Sequence, residues 1–414
     1  MSTSGQRAPA PVRGAAANLA LATFAFTMTF WAWNLVGPLS KTYSEALALT
    51  PTQTSLLVAF PVLVGALGRI PVGALTDRYG GRRMFTAICL ISIAPVLLVG
   101  FSGGSFALML VSGFLLGVAG TSFAVGIPFV NGWFPPHRRG FATGVFGAGM
   151  GGTALSAFAT PWLAERLGLL GTHVALALAL AATGLAMALF SRDAPGWEPR
   201  TEALLPRLGQ AARLRRTWQL SALYALAFGG FVAFSTYLPT ILTTAYGFVQ
   251  TEAGLRTAAF ALAAVVARPV GGTLSDRVGP VRVCVASFAS VCVLAVFLAF
   301  EPPAELAAGS AFVLTAFMLG LGTGGVFALL AKVVEPARVG AVTGLVGAAG
   351  GLGGYFPPLV MGVVYQATGA YVIGFVLLSG VALAAAVYTA LVLGRTADPA
   401  LGARARTETA DGTR

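Results

Sequence analysis

Charge is what this sequence has least of. Asp, Glu, Lys and Arg make up 10% of its 414 residues, where a soluble domain would have roughly 25%. Acids are scarcer than bases, 14 against 26, so the formal charge is +12. Reactive groups are few as well, with two histidines and three cysteines. Cys89, Cys284 and Cys292 fall in apolar runs with no ligand-like spacing. They read as small hydrophobes in helices, which argues against a disulfide framework or a metal site. No Ser/His/Asp or His/Glu set lies within the apolar runs. An intramembrane enzyme is therefore disfavoured, and the sequence calls for no cofactor and no metal. The basic excess does not mark a nucleic-acid partner, because the basic residues sit in short loops and not on one polar face.

Apolar length is what the chain has in abundance. Hydrophobic residues make up 57%, in runs of at least about 18 residues, each able to cross a hydrocarbon core about 30 Å thick as a helix. The pattern predicts an all-α membrane protein with twelve transmembrane helices. Their approximate limits are 17–39, 54–75, 84–101, 106–129, 140–163, 171–190, 218–243, 253–274, 281–300, 308–331, 339–363 and 370–394. With the N-terminus in the cytoplasm, the cytoplasmic segments collect 21 of the 26 basic residues. Lys41 and Arg166 alone fall outside, and Arg69, Arg256 and Arg268 lie within spans. This asymmetry places both termini on the cytoplasmic side of a cell membrane. Residues 1–16 have no apolar core followed by a cleavage site and read as a cytoplasmic tail, not a signal peptide. The division is then a tail (1–16), a six-helix half (17–190), a cytoplasmic linker (191–217), a second half (218–394) and a C-terminal tail (395–414).

The halves are related. "GRIPVGALTDRYGGRR" (68–83) and "ARPVGGTLSDRVGPVR" (267–282) align at an offset of 199, pairing Arg69 with Arg268 and Asp77 with Asp276. At an offset of 200, Pro136, Arg138, Gly140, Thr143, Gly144 and Gly147 pair with Pro336, Arg338, Gly340, Thr343, Gly344 and Gly347. Halves repeated about an axis along the membrane normal place a substrate site near the midplane, between them.

Each repeat carries an arginine eight residues before its interfacial aspartate. At 1.5 Å per residue that is about 12 Å into the bilayer. A central arginine costs on the order of 3 kcal/mol and normally faces the bundle interior. None of the 14 acidic residues lies mid-span, so a negatively charged cargo is the natural counter-ion. The alternative is snorkelling, or bonding to carbonyls or water. Paired guanidinium donors suit small planar oxyanions. The glycine-dense stretches 144–161 and 344–362 allow close helix approach, serving packing alone or a surface on which the halves slide. In "FTMTFWAWNLVGPL" (26–39), Phe30, Trp33 and Asn34 are candidates to sandwich a planar anion, with packing or an interfacial belt as the other reading. His137 and His173 are not placed to relay protons through the core.

"GALTDRYGGRR" (73–83) resembles the loop signature of the major facilitator superfamily, and "GTLSDRVGPVR" (272–282) its weaker copy. The resemblance covers essentially the whole chain. It implies two pseudo-symmetric six-helix bundles, with Asp77, Arg78, Asp276 and Arg277 as structural and gating charges, not cargo ligands. Mid-span arginines on the second and eighth helices, glycine-dense fifth and eleventh helices, and "GTSFAVGIPFVNGWFPP" (120–136) resemble the nitrate/nitrite porter family of that superfamily. That resemblance implies Arg69 and Arg268 as an anion clamp, Gly144, Gly147, Gly344 and Gly347 in the signature helices, and Tyr224 of "ALYALAFGGF" (222–231) as a hydroxyl donor. It also brings Ser122 to the site; many members have asparagine where Ser122 and Phe129 stand.

The expected function is secondary transport of nitrate and nitrite by alternating access, by a monomer in the lipid bilayer. Anion uptake against an inside-negative potential costs about 2.3 kcal/mol per charge per 100 mV. No titratable group lies deep in the bundle to carry a compensating proton, so nitrate/nitrite exchange is preferred to nitrate/proton symport. A carrier of cyanate or an organic carboxylate shares the arginine logic. A proton-coupled drug exporter would use membrane carboxylates and a Gly-Pro element in the fifth helix, where Pro161 comes only at the outer end.

Overall fold

The computed structural model describes residues 13–394 apart from 103, 136–137, 200–203 and 336–338. The expectations for the two tails before 13 and after 394, for His137, and for the pairings of Pro136, Pro336 and Arg338 lie outside the described residues. The spans are α1 (Ala15–Trp33), α2 (Pro51–Leu67 continued by Arg69–Tyr79), α3 (Gly81–Phe101), α4 (Phe106–Trp133), α5 (142–167) and α6 (169–190). After a linker carrying the short helix Leu204–Ala212 come α7 (Arg215–Thr244), α8 (Gln250–Val278), α9 (Pro280–Ala299), α10 (Ala304–Val333), α11 (Ala341–Thr368) and α12 (Val372–Leu393).

Local signals set many of these ends. Thr50 and Gln53 form a reciprocal capping box ahead of α2, with Pro51 in the first turn; together they satisfy donors that a helix start leaves open. Gly80 (φ 85°) and Gly279 (φ 93°), 199 residues apart, reverse the chain between α2 and α3 and between α8 and α9. Only glycine takes that region freely, so the repeat seen in the sequence is repeated in the backbone.

Two spans differ from expectation. The stretch Ala142–Phe190 runs 49 helical residues, far more than one crossing needs. Gly168, at φ 71° and ψ 172°, breaks it into two spans, and the contacts reverse there. Before it, Gly152 packs on the Thr27 carbonyl and Trp31 Nε1 donates to Thr160 Oγ1 at 2.9 Å, so α5 runs parallel to α1. After it, His173 lies against Gly100, and Arg82 donates to the Ala188 carbonyl, so α6 runs antiparallel to α3. A single glycine thus replaces the loop expected near 164–170. In α2, a 41° bend separates the two segments at Gly68. Pro71 accounts for it, since it cannot donate to the Leu67 carbonyl and its ring crowds that group.

Between the halves, α5 packs on α8 and α2 on α11, with Gly254 against the Ala157 carbonyl and Gly351 against Ala66. At the end away from the linker, Gly37 meets the Thr236 carbonyl and Ser40 Oγ lies 2.8 Å from Thr240 Oγ1. These pairs are 199 and 200 residues apart, close to the repeat offset, so similar positions of the two halves meet at this end. Asn34 Nδ2 to the Ser235 carbonyl (3.3 Å), Thr42 to Gln250 (2.6 Å) and Thr52 to Gln366 (2.6 Å) complete the seal. At the linker end the halves diverge around a cavity of about 2130 Å³. The molecule is therefore open toward the linker and closed at the other end.

The glycine-rich faces separate by role. A Cβ at Gly353 would run into the Ala225 backbone, whereas one at Gly344 would meet nothing within 4 Å. Gly353→Ala is expected to destabilise by about 1–3 kcal/mol through forced helix displacement. Gly344→Ala is expected to be neutral, or stabilising by up to about 1 kcal/mol from helix propensity. Thermal unfolding of the two variants in detergent checks the contrast.

Candidate functional site

Arg69 opens the second segment of α2, immediately after the Gly68 break. Its side chain is buried at 4% exposure. It crosses to the opposite half, where Nη1 donates to the Gly347 carbonyl of α11 at 2.9 Å. Arg268 lies on α8 before Pro269, is half-buried, and crosses the other way, its Nη1 2.7 Å from the Met150 sulfur of α5. Each arginine thus reaches the glycine-rich helix of the other half. Their compensation is incomplete. A thioether is a weak acceptor, and Arg69 Nε and Nη2 are buried without any hydrogen-bond partner. Neither arginine has an ion pair among the described residues, and the two lie close enough to repel one another.

One ring lies between them. The Phe123 centroid is 5.0 Å from Arg69 Cζ and 5.8 Å from Arg268 Cζ. Phe228 covers Arg69 at 5.3 Å and Phe327 covers Arg268 at 5.4 Å. Tyr224 stacks on Phe228 (5.1 Å, 1° between planes) and meets Phe327 edge-on at 4.9 Å. Cation–π contact stabilises each charge without consuming an N–H group, so the donors not already engaged remain for a planar oxyanion. The Tyr224 hydroxyl is buried, close to both arginines, and makes no well-formed hydrogen bond. An unspent phenol donor and the unspent donors of Arg69 therefore converge on one region.

Gly144, Gly147, Gly344 and Gly347 all line the cavity with both arginines. A Cβ at the first, second or third of these would meet nothing within 4 Å, and one at Gly347 would touch Phe123 at 3.9 Å. Their small size leaves room beside the clamp. Other sequence candidates are not brought there. Phe30 packs on Phe26 and Trp33, and Trp33 Nε1 donates to the Pro61 carbonyl at 2.8 Å. Asn34 joins α1, α5 and α7 through the Thr153 and Ser235 carbonyls. Ser122 Oγ lies 2.7 Å from Thr29 Oγ1. None of the four lines the cavity, nor does Tyr224, which however lies beside both arginines; the four pack α1 against its neighbours, with Asn34 Oδ1 buried without a partner. Phe129 does stand on the cavity wall.

Asp77 and Asp276 lie on the cavity wall, while Arg78 rests over the adjacent Tyr79 ring at 5.5 Å and Arg277 is exposed. Among the described residues no ion pair joins the two loops, consistent with an end that is open. Sequence reasoning missed Phe123, Phe228, Phe327 and Met150. Phe228 could have been found, since it lies one helical turn from Tyr224. Phe123 and Phe327 carry no signal separating them from ordinary core aromatics.

The chain matches the family model described as Major Facilitator Superfamily over residues 20–304 and 220–412. It is 57% identical over 383 residues to a Mycobacterium tuberculosis (strain ATCC 25618 / H37Rv) protein named "Probable nitrate/nitrite transporter NarK2", covering 92% of this chain and 97% of that one. It is 35% identical over 367 residues to the "Nitrite extrusion protein" of Bacillus subtilis (strain 168), covering 88% and 91%. Its fold is that of a bacterial homologue of the human lysosomal transporter Spinster in an inward-facing, occupied conformation, with a TM-score of 0.70 at 16% identity over 91% of this chain and 96% of that one. This chain is a multi-pass membrane protein that belongs to the Major Facilitator Superfamily and, within it, to the nitrate/nitrite porter family.

Proposed function

We propose that this chain carries nitrate and nitrite across the cell membrane by alternating access, with Arg69 and Arg268 clamping the anion between the halves. The observation that carries the reading is the pair of symmetry-related guanidinium groups sharing the Phe123 ring, with no carboxylate paired to either among the described residues and with unpartnered donors on Arg69. A small flat anion would enter that space edge-on to both arginines, faced by Phe123, with the Tyr224 hydroxyl as a further donor. The names of the relatives favour nitrate and nitrite as the anions.

The basic residues crowd the linker end, which supports a cytoplasmic linker and cytoplasmic termini. The open form would then face inward. Residues 17–190 and 218–394 act as the two rocking halves, joined by 191–217, and a monomer suffices because the site lies within one chain. The same arginines supply the transport rule. Empty, they repel each other across the cavity and resist closure. An anion between them converts repulsion into attraction, so the loaded carrier changes face and the empty one stays. Exchange of nitrate for nitrite follows, and it moves no net charge.

Arg69→Lys and Arg268→Lys keep the charge but lose the planar fork. Each is expected to weaken nitrate binding on the order of 30-fold or more, the scale for truncating one partner of a buried charged hydrogen bond. Helical content should stay unchanged. Equilibrium binding to purified protein, with nitrite, formate and cyanate as competitors, gives both the loss and the anion preference; tighter binding of formate or cyanate than of nitrate would reassign the cargo.

The exchange rule is tested in liposomes. Nitrate entry is expected to need nitrite or nitrate inside the vesicles and to be indifferent to a pH gradient. Full-rate entry into empty vesicles, accelerated by acid outside, would instead establish symport.

A further inference from the structure

A second basic site lies at the linker end, beside the large cavity and sharing Asp193, Trp197 and Pro199 with its rim. A cleft of about 700 Å³ is formed where α2, α3, α6 and the start of the linker meet. Arg78, Arg82 and Arg83 line it, together with Tyr79, Trp197 and one carboxylate, Asp193. We propose that this cleft binds the phosphate of an anionic phospholipid whose acyl chains lie along the outer faces of α3 and α6.

The charge balance favours an anion. Among the described residues none of the three arginines has an ion pair. Asp193 is already committed, since its Oδ1 accepts the main-chain N–H of Arg82 at 3.0 Å and its carboxylate fills the space a side chain at Gly80 would need. Arg82 is held in place by donating Nε and Nη2 to the Ala188 carbonyl in the last turns of α6, and its Nη1 has no such engagement. Arg83 stands exposed on the first turn of α3. Three guanidinium groups, Arg82 tethered and Arg78 resting over Tyr79, against one occupied carboxylate make a phosphate-recognition set.

The surroundings favour a lipid as its source over a soluble phosphate. Leu178, Leu185 and Leu189 of α6 are exposed at spacings of seven and four, so they share one face. Leu90 of α3, seven residues beyond Arg83, is exposed likewise. The basic cleft is thus continuous with an apolar face that in a bilayer meets acyl chains. Trp197 closes the polar side, anchored by the small cluster of Ala15, Trp133 and Ala194; a ring of this kind sits naturally at headgroup level. In the C-terminal half the related loop keeps Arg277 and Arg282 but has Val281 where Arg82 stands. The set of three arginines is therefore complete in one half only.

The test uses the purified full chain in detergent, titrated with phosphatidylglycerol or phosphatidylcholine. Lipid adducts are counted by native mass spectrometry and stability is followed by thermal unfolding. Phosphatidylglycerol is expected to be retained in preference and to raise the Tm in a saturable way. Arg83→Gln should weaken its binding about five-fold, the scale of one basic residue at an anionic surface, and Arg82→Gln/Arg83→Gln further. Arg282→Gln, in the related loop, should bind as the wild type does. Undiminished binding by Arg82→Gln/Arg83→Gln, or an equal loss in Arg282→Gln, would overturn the proposal. So would displacement of phosphatidylglycerol by glycerol 1-phosphate at matched concentration, which would point to a soluble phosphate. Arg83 is exposed, so its variant is expected to fold, and its unfolding curve without lipid verifies this.

Discussion

Two positive charges within the spans, with no counter-charge among the described residues, organise the rest of this molecule. Each would cost on the order of 3 kcal/mol in a bare bilayer. The protein offsets part of that with ring faces, one carbonyl and one thioether. None of these groups carries a negative charge, so the remainder is left for the cargo. A carboxylate beside either arginine would have made a more stable protein and removed the reason for an anion to bind.

The frame around the clamp lets the halves move without exposing polar backbone. Gly350, Gly353 and Gly354 fit closely on Tyr224, Ala225 and Val232 of α7. Gly144, Gly147 and Gly344 face open space instead. One glycine-rich helix therefore has a packed side and a clearing side, and the clearing side faces the cavity. The closed end is held by hydroxyls, amides and carbonyls. Neutral bonds of this kind contribute about 1 kcal/mol each, enough to hold a conformation and little enough to release it.

Much of this was legible in the chain. Twelve apolar runs, the lopsided basic residues and the 199-residue offset are statements about solvent and symmetry, and both act on sequence directly. The arginines were legible for the same reason, since a charge in an apolar run stands out without any knowledge of contacts. Arg69 and Arg268 do lie together with Gly144, Gly147, Gly344, Gly347 and Tyr224. The aromatic partners were less legible. Phe30 and Trp33 looked as suitable as Phe123, because a mid-span aromatic ring has the same composition signal whether it faces a cavity or a neighbouring helix.

The sequence by itself determined that the chain spans a membrane in two related halves with an unmatched cation deep in each, because burial of charge and helix length follow from residue type and spacing. Tertiary structure alone decided that each arginine crosses to the other half, that Phe123 stands between them while Phe30 and Trp33 pack, and that a lone glycine at 168 turns one long helix into two spans. Those outcomes depend on which faces of separate helices meet, and that is set by the packing of all twelve together.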